Sequence, residues 1–215
     1  MTKNVVVVES DPTSHYYSHN AARLAEEYDR AGDGLLPLIV KICPDESARI
    51  LDYGCGTGRD LARLHDRGYT NLMGYDPSPE MIVAGRAKYP QIENYLHHEL
   101  AHIAAASFDL VICSAVLQHI EAGKLSAFLK KLTSYLRPSA SSHLLLSYPL
   151  QWPGYEKEPR RVVLHSPAEV RLALHQLGLS ELSFSTSQDS LSRAGREWGE
   201  IPIIFLSGVV LLGFV

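Results

Sequence analysis

Hydrophobic and polar positions change period several times along this chain, and each change marks an element. Ala21, Leu24, Ala25 and Tyr28 fall at i, i+3, i+4 and i+7, so residues 14–30 read as a helix with one apolar face, ended by Gly32 and Gly34. Residues 35–42 are a second apolar, helical stretch, stopped by Pro44. The run Arg49-Ile-Leu-Asp-Tyr53 is a short buried strand that leads into Gly54-Cys-Gly-Thr-Gly58, with a helix over residues 59–67 behind it. A second strand covers residues 72–75 and closes on Asp76-Pro77; Ser78 then caps a helix with Met81 at its third position, which Pro90 ends. Tyr95 and Leu96 belong to a weak third strand, and Phe108-Asp-Leu-Val-Ile-Cys-Ser114 is the clearest strand of the chain. An amphipathic helix over residues 124–136 stops at Pro138, and a fifth strand runs over residues 143–148. Residues 151–161 form a loop rich in Pro, Gly and charge. Ser166 with Glu169 three residues later is a capping box, opening a helix that Gly178 ends. Residues 182–186 and 201–206 are the last two strands.

Strands alternating with helices give βαβ units and a parallel sheet. No helix separates the last two strands, so that pair is expected to be antiparallel. The fold class that follows is α/β: a Rossmann-like, mostly parallel seven-stranded sheet with an antiparallel last strand and helices on both faces. Residues 46–215 are the expected core, and residues 1–45 a helical lid segment, within a single domain.

Composition narrows the functional classes. The chain has 215 residues, 46% hydrophobic and 20% charged, with a net charge of −4. No stretch clusters Lys and Arg with interleaved aromatics, so nothing in the charge pattern points to a nucleic-acid backbone. Cys43, Cys55 and Cys113 are odd in number and contain no CxxC pair, which fits a reducing cytoplasm and neither a disulfide framework nor a Cys-rich metal site. Val5 to Val8 is too short for a signal-peptide core. The uncharged stretch from Ile201 to Val215 is shorter than a membrane span; it reads as a last buried strand with an apolar end, or as a membrane-surface or subunit contact. A monomer or homodimer with no membrane span is expected.

The chemistry concentrates at the ends of the first two strands. In open α/β sheets ligands bind beyond the carboxyl ends of the strands, where strand order switches. Glycines at 54, 56 and 58 let backbone approach a ligand, and Asp76 suits the two hydroxyls of a ribose. A nicotinamide fingerprint needs a third glycine where this chain has Arg59. Asp52, just ahead of the loop, would repel a pyrophosphate but suits the ammonium of a methionine moiety. S-adenosylmethionine (SAM) carries that ammonium and no phosphate.

At these residues the chain resembles the class I SAM-dependent methyltransferases, most nearly small bacterial ones. Leu51-Asp-Tyr-Gly-Cys-Gly-Thr-Gly58 is similar to their first motif, Tyr75-Asp-Pro-Ser-Pro-Glu-Met81 to their acidic second motif, and the segment from Phe108 to His119 to their fourth strand and following turn. The Tyr-Tyr-x-x-Asn-Ala segment at Tyr16 and the Ser-Pro-x-Glu start at Ser166 extend the resemblance over roughly residues 16–206. The resemblance implies SAM as cofactor, with Gly54, Gly56 and Gly58 along the methionine part and Asp76 on the ribose. Asp52, Cys55, Thr57, Pro77, Met81 and Ser114 complete the expected cofactor contacts. The family often holds the adenine amine with an acidic residue after the third strand; here the segment reads His97-His98-Glu99-Leu100, leaving Glu99 and Leu100 as candidates.

That segment also contains His98-Glu99-x-x-His102, the H-E-x-x-H pattern of zinc hydrolases, which requires a helix carrying both histidines and a third ligand. The continuation is Ala105 and Phe108 where the extended pattern wants Gly and His, so no metal is expected. His119, after the fourth strand, is a candidate general base or a pocket-lining residue, and Tyr17 is a second catalytic candidate. Tyr16, Tyr17 and His19 are placed to cover the pocket, and Trp152 and Tyr155 to wall it. Arg160 and Arg161 either hold an acidic acceptor or are solvated loop residues. The function expected is methyl transfer from SAM to a small-molecule acceptor. The alternatives are a SAM-binding protein without catalysis, a zinc hydrolase and a nicotinamide oxidoreductase.

Overall fold

Helix starts follow the local chemistry closely. The computed structural model describes residues 11–30, 35–139, 141–152, 154–188 and 200–207, with side chains as far as residue 179. Helix α1 spans Pro12–Asp29, and the Asp11 carboxylate accepts the Ser14 N–H at its start, at 3.1 Å. Helix α2, Leu36–Ile42, precedes strand β1, Ile50–Tyr53, and helix α3, Arg59–His65. Strand β2, Leu72–Tyr75, leads to helix α4, Pro79–Lys88, where the Ser78 hydroxyl accepts the Met81 N–H. The remaining elements are β3 (Leu96–His97), β4 (Leu110–Ser114), α5 (Leu125–Thr133), β5 (His143–Ser147), α6 (Pro167–Gln176), β6 (Ser180–Gln188) and β7 (Glu200–Ser207). The capping box expected at Ser166 and Glu169 is formed in both directions.

The seven strands lie in the order β3-β2-β1-β4-β5-β7-β6, parallel except for β7, which runs antiparallel to both β5 and β6. The order reverses at β1, which pairs with β2 on one side and β4 on the other. The central strands are apolar throughout because both faces are covered. Leu51, Val111, Cys113, Leu144 and Leu146 point to a layer containing Leu129 and Leu132 of α5 and Val170 and Leu174 of α6. Ile50, Leu110, Ile112 and Leu145 point the other way, to Leu36 and Ile39 of α2 and Leu61 and Leu64 of α3. The period of two along each strand thus sorts alternate residues into two cores.

Several boundaries differ from the sequence reading. Residues 90–95 wind into a 3-10 helix after Pro90, so the third strand begins at Leu96 and includes His97. Helix α5 stops at Thr133, and Phe108 and Leu136 form an isolated parallel bridge instead of lying in the strand and helix expected for them. The stretch beyond Ser207 and the segment around Lys3 lie outside the described residues.

Helix α1 is bound along its length to α4 and the start of α3. Ala21 and Leu24 pack on Met81. Ser18 donates to Glu80 at 2.7 Å, Lys88 pairs with Glu26 at 2.7 Å, the Tyr89 hydroxyl donates to Asp29 at 2.8 Å, and Arg59 donates to the Tyr28 carbonyl at 2.9 Å. A buried apolar stripe and four polar ties hold this helix against the body. Leu24 is fully buried. Leu24→Ala should therefore cost about 2–4 kcal/mol of stability in urea unfolding, the ordinary loss for a buried leucine; a loss below about 0.5 kcal/mol would show a weakly attached helix.

Candidate cofactor and acceptor site

The site lies at the carboxyl ends of β1, β2 and β4, where the strand order reverses. The turn after β1 has Gly54, Gly56 and Gly58 at φ of +84°, +59° and +80°, all left-handed. Two of these glycines have different reasons to be there. A Cβ on Gly58 would sit 2.7 Å from Leu96 and 2.9 Å from Ile92, both fully buried, so this glycine is demanded by the protein's own core. A Cβ on Gly56 would meet only the methyl of Met81, at 3.3 Å. Its backbone otherwise faces open space, as a ligand cradle requires.

Asp76 braces this turn. One carboxylate oxygen accepts the Gly56 N–H at 2.9 Å and the other accepts the Ser78 N–H at 3.0 Å. Burial pushes its pKa up to about 6, against the two backbone donors that hold it down. Asp52, buried on the α3 side of β1, is pushed well above the ordinary carboxylate range by burial and then by Asp60, with Arg59 opposing. The Thr57 hydroxyl is buried with no hydrogen-bond partner. An open glycine backbone, a buried carboxyl beside it, a ribose-type carboxylate and an orphaned hydroxyl together fit a ligand that brings an ammonium and sugar hydroxyls.

Met81 is buried beneath Gly56, Pro77 is exposed at the mouth, and Cys55 is half-buried within the turn. Ser114 ends β4 at the same edge. After β3, Leu100 packs inward against the core while Glu99 faces His98 and His102 at 3.8 and 3.6 Å. Residues 100–102 form one turn of 3-10 helix, and the His102 ring stacks on His97. The zinc reading needs His98 and His102 on one α-helical face, and this geometry contradicts it.

A second cluster, beyond the end of β4, is built around His119. Ala115, at φ +55°, is a strained left-handed residue that turns the chain out of β4. The one-turn helix Leu117–His119 follows. It is pinned from behind by Val163 N–H on the Gln118 carbonyl at 2.7 Å, and by His165 Nε2, which faces the Leu117 and Ile120 carbonyls at 3.0 Å each. His119 Nδ1 lies 2.7 Å from the Arg161 carbonyl, which can only accept, so Nδ1 carries the proton. Nε2 is then a lone pair, and it accepts the Tyr17 hydroxyl at 3.0 Å. Burial above all lowers the pKa of His119 to about 4, keeping the ring neutral.

Tyr17 comes from α1, and its oxygen also accepts from Arg160 at 3.2 Å. Burial raises its pKa, with Arg160 opposing. The Arg160 guanidinium lies 4.6 Å from the Tyr16 ring centre and 5.2 Å from that of Trp152, and it pairs with Glu158 at 2.8 Å. Both charged side chains are buried, at 3% and 6% exposure. Arg160 is therefore not a solvated loop residue, and its charge is paired with Glu158. Arg161 pairs with Asp11 at 3.0 Å and Glu121 at 3.4 Å. Trp152 joins this cluster; Tyr155, expected beside it, is 36% exposed on a separate 3-10 turn, and His19 is exposed and stacks on His15. Glu158 and Ala115 escaped the sequence reading. A glutamate two residues from Arg160 in a loop bounded by prolines was the available signal for the first; an alanine in left-handed conformation has none.

A family model described as a methyltransferase domain matches residues 15–199. The chain belongs to the methyltransferase-domain family. It is 30% identical over 146 residues to a trans-aconitate 2-methyltransferase of Azoarcus sp. strain BH72, an alignment covering 67% of this chain and 54% of the relative. This methyltransferase-domain chain thus spans about half the length of that relative. Magnesium protoporphyrin IX methyltransferase from Synechocystis PCC 6803, solved with S-adenosylhomocysteine (SAH), superposes with a TM-score of 0.63 at 22% identity, covering 87% of this chain and 84% of the other. The cyclase SpnF superposes with a TM-score of 0.68 at 13% identity, covering 93% and 97%. At these identities the two structures establish the fold.

The contrast between the glycines is measurable. Gly56→Ala should cost about 1–2 kcal/mol, the left-handed penalty alone. Gly58→Ala should cost about 1–3 kcal/mol more, for the overlap with Leu96 and Ile92. Urea unfolding of both variants checks the order, and equal losses would refute the distinction.

Proposed function

We propose that this chain transfers the methyl group of SAM to a small-molecule acceptor. The observation that carries the reading is the Asp76 carboxylate, held at the end of β2 by the Gly56 and Ser78 N–H groups beside the open turn. Its remaining lone pairs would accept from the ribose hydroxyls. Asp52 would compensate the ammonium, and the Thr57 hydroxyl would gain a partner. Glu99 and Leu100 flank the adenine side. When bound, SAM supplies a methyl group already activated by its sulfonium charge. The protein's part is then alignment and exclusion of water.

Tyr17 joins the two ends of the site. Asp76 is close enough to influence its ionisation, and His119 accepts its hydroxyl proton. An acceptor held against Tyr17 would thus lie beyond β4, opposite the Gly54–Gly58 turn. Acceptor names among the relatives range from trans-aconitate to magnesium protoporphyrin IX, so they do not select one for this chain. Among the described residues no helix is long and apolar enough to cross a membrane. The free cysteines at 43, 55 and 113 suit a reducing, cytoplasmic setting.

Asp76→Asn should weaken SAM binding by about 1.5–3 kcal/mol, the scale of hydrogen bonds to a charged group. Calorimetry on a folded variant checks it, and unchanged affinity would refute the ribose role. The pH dependence has a definite sign. Ribose hydroxyls donate to the ionised carboxylate, and the free protein's Asp76 takes up a proton as pH falls through about 6. Affinity should therefore be full above pH 7 and drop toward pH 5, by at most about tenfold per unit. SAM binding without SAH release on any acceptor would favour a SAM-binding protein without catalysis.

A further inference from the structure

The turn after β4 is held in place from outside. Ala115 leaves the strand in a left-handed conformation, at φ +55°, and such a backbone persists only where its surroundings over-determine it. Within the turn, the His119 N–H donates to the Val116 carbonyl at 2.8 Å and the Ile120 N–H to the Leu117 carbonyl at 2.9 Å. Further ties come from residues 161–165, a strap without regular structure that leads into α6. Alternate residues of this strap meet the turn. The Arg161 carbonyl accepts His119 Nδ1–H at 2.7 Å, the Val163 N–H donates to the Gln118 carbonyl at 2.7 Å, and His165 Nε2 lies 3.0 Å from both the Leu117 and the Ile120 carbonyls.

His165 anchors the strap. Its side chain is buried, at 3% exposure. Both Nε2 partners are carbonyls, which only accept, so Nε2 carries a proton and shares it between them. The next residue is Ser166, the cap of α6, and its capping box fixes the backbone from which the ring projects. The Leu117 carbonyl also accepts within the turn, whereas the Ile120 carbonyl is tied to the body by this ring. Without the ring's N–H, that carbonyl must find another donor, and the turn moves with it.

The strap also reaches the other side of the cluster. The Arg161 N–H donates to the Thr13 hydroxyl at 3.0 Å, the Arg161 guanidinium pairs with Asp11 at 3.0 Å, and Arg160 donates to the Tyr17 oxygen at 3.2 Å. Asp11, Thr13 and Tyr17 lie at the start of α1. The same short segment therefore places both partners of the Tyr17–His119 hydrogen bond, one through α1 and the other through the turn.

We infer that His165 is a positioning residue of this end of the site: its Nε2–H fixes the turn after β4, and thereby sets the His119 ring against Tyr17. Its bearing on turnover rests on the methyl-transfer reading above; its bearing on His119 does not. His165 bonds to carbonyls behind the turn, so it acts on the chemistry through the residues it places.

The test reads the ring nitrogens directly and needs no acceptor. Long-range proton–nitrogen NMR of the full chain, labelled at histidine nitrogens, is recorded near pH 7. In the parent chain His119 is expected as the Nδ1–H tautomer, and His165 with a proton on Nε2. His165→Met keeps the length of the side chain and removes the donor. His165→Gln keeps the length and puts an amide N–H where Nε2 stood. In the Met variant the two His119 nitrogen signals should move toward each other, and its Nδ1–H should exchange with solvent about threefold to tenfold faster, the fold-change one hydrogen bond supplies. The Gln variant should stay near the parent, a rescue that mere filling of space would not produce. SAM affinity, read by calorimetry, should remain within about threefold in both variants, because distant sites act independently. An unchanged His119 signature in a folded Met variant overturns the inference, as does a Gln variant that behaves like Met. The parent spectrum decides even where neither variant folds: protonation of His165 at Nε2 sustains the inference, and protonation at Nδ1 alone overturns it. Failure of the parent chain to bind SAM would instead overturn the methyl-transfer reading, with the histidine signals unaffected.

Discussion

The hydrogen bond from the Gly56 N–H to the Asp76 carboxylate, at 2.9 Å, is the contact on which the rest of the site depends. It crosses from the turn after β1 to the end of β2 and fixes a left-handed backbone that has few intrinsic reasons to be stable. A carboxylate that accepts backbone N–H groups in a buried setting makes a stronger bond than a neutral acceptor would. Because one oxygen faces Gly56 and the other Ser78, the same side chain also ties the turn to the start of α4. Gly58 and Gly85 then let the turn lie against Leu96 and α4, with no side chain of their own in the way. The shape of the cradle is thus set by the protein's own hydrogen bonds and packing, which lowers the ordering cost of binding.

The opposite end of the site uses a different device. Arg160 and Glu158 are charges removed from water, a costly arrangement that an apolar pair could often replace without loss. What it supplies here is direction. The guanidinium touches Tyr16 and Tyr17 of α1, Trp152 after β5 and, through Glu158, its own loop. One buried fork therefore registers the N-terminal helix against the β5 loop and sets the Tyr17 hydroxyl on His119. The same network anchors α1. Its aromatic end is locked in that network while its middle packs on Met81 and Glu80.

The sequence carried the fold and the cofactor end plainly, and the acceptor end only as a set of names. Period-two runs, caps at Ser78 and Ser166 and the glycine turn are local signals, read within a few residues. Asp52, Gly56, Asp76 and Met81 became candidates for the same reason. The pairing of Tyr17 with His119 joins positions 102 apart, and that with Arg160 positions 143 apart, so no spacing rule reaches them. Arg160 looked open or solvated because a loop arginine usually is; its burial comes from three aromatic rings brought in by tertiary structure. The His98 to His102 pattern failed for a local reason. Two strands on either side leave those residues one 3-10 turn, in which the His102 ring stacks on His97.

A fold shared with both a methyltransferase and a cyclase leaves the choice of chemistry to the residues that line the acceptor end. In this chain those residues are individually ordinary: two tyrosines, a histidine, an arginine. Their protonation is what distinguishes them. Nδ1 of His119 is fixed by a carbonyl and its Nε2 left as an acceptor, and burial keeps the ring neutral to about pH 4. A neutral imidazole behind a phenol, with Arg160 and Arg161 each matched by carboxylates, leaves Nε2 as the acceptor of the Tyr17 hydroxyl. At the glycine turn the charge lies on Asp76, held by two backbone N–H groups, while burial and Asp60 favour the neutral form of Asp52. Around His119 the arginines at 160 and 161 are each paired, Arg160 with Glu158 and Arg161 with Asp11 and Glu121.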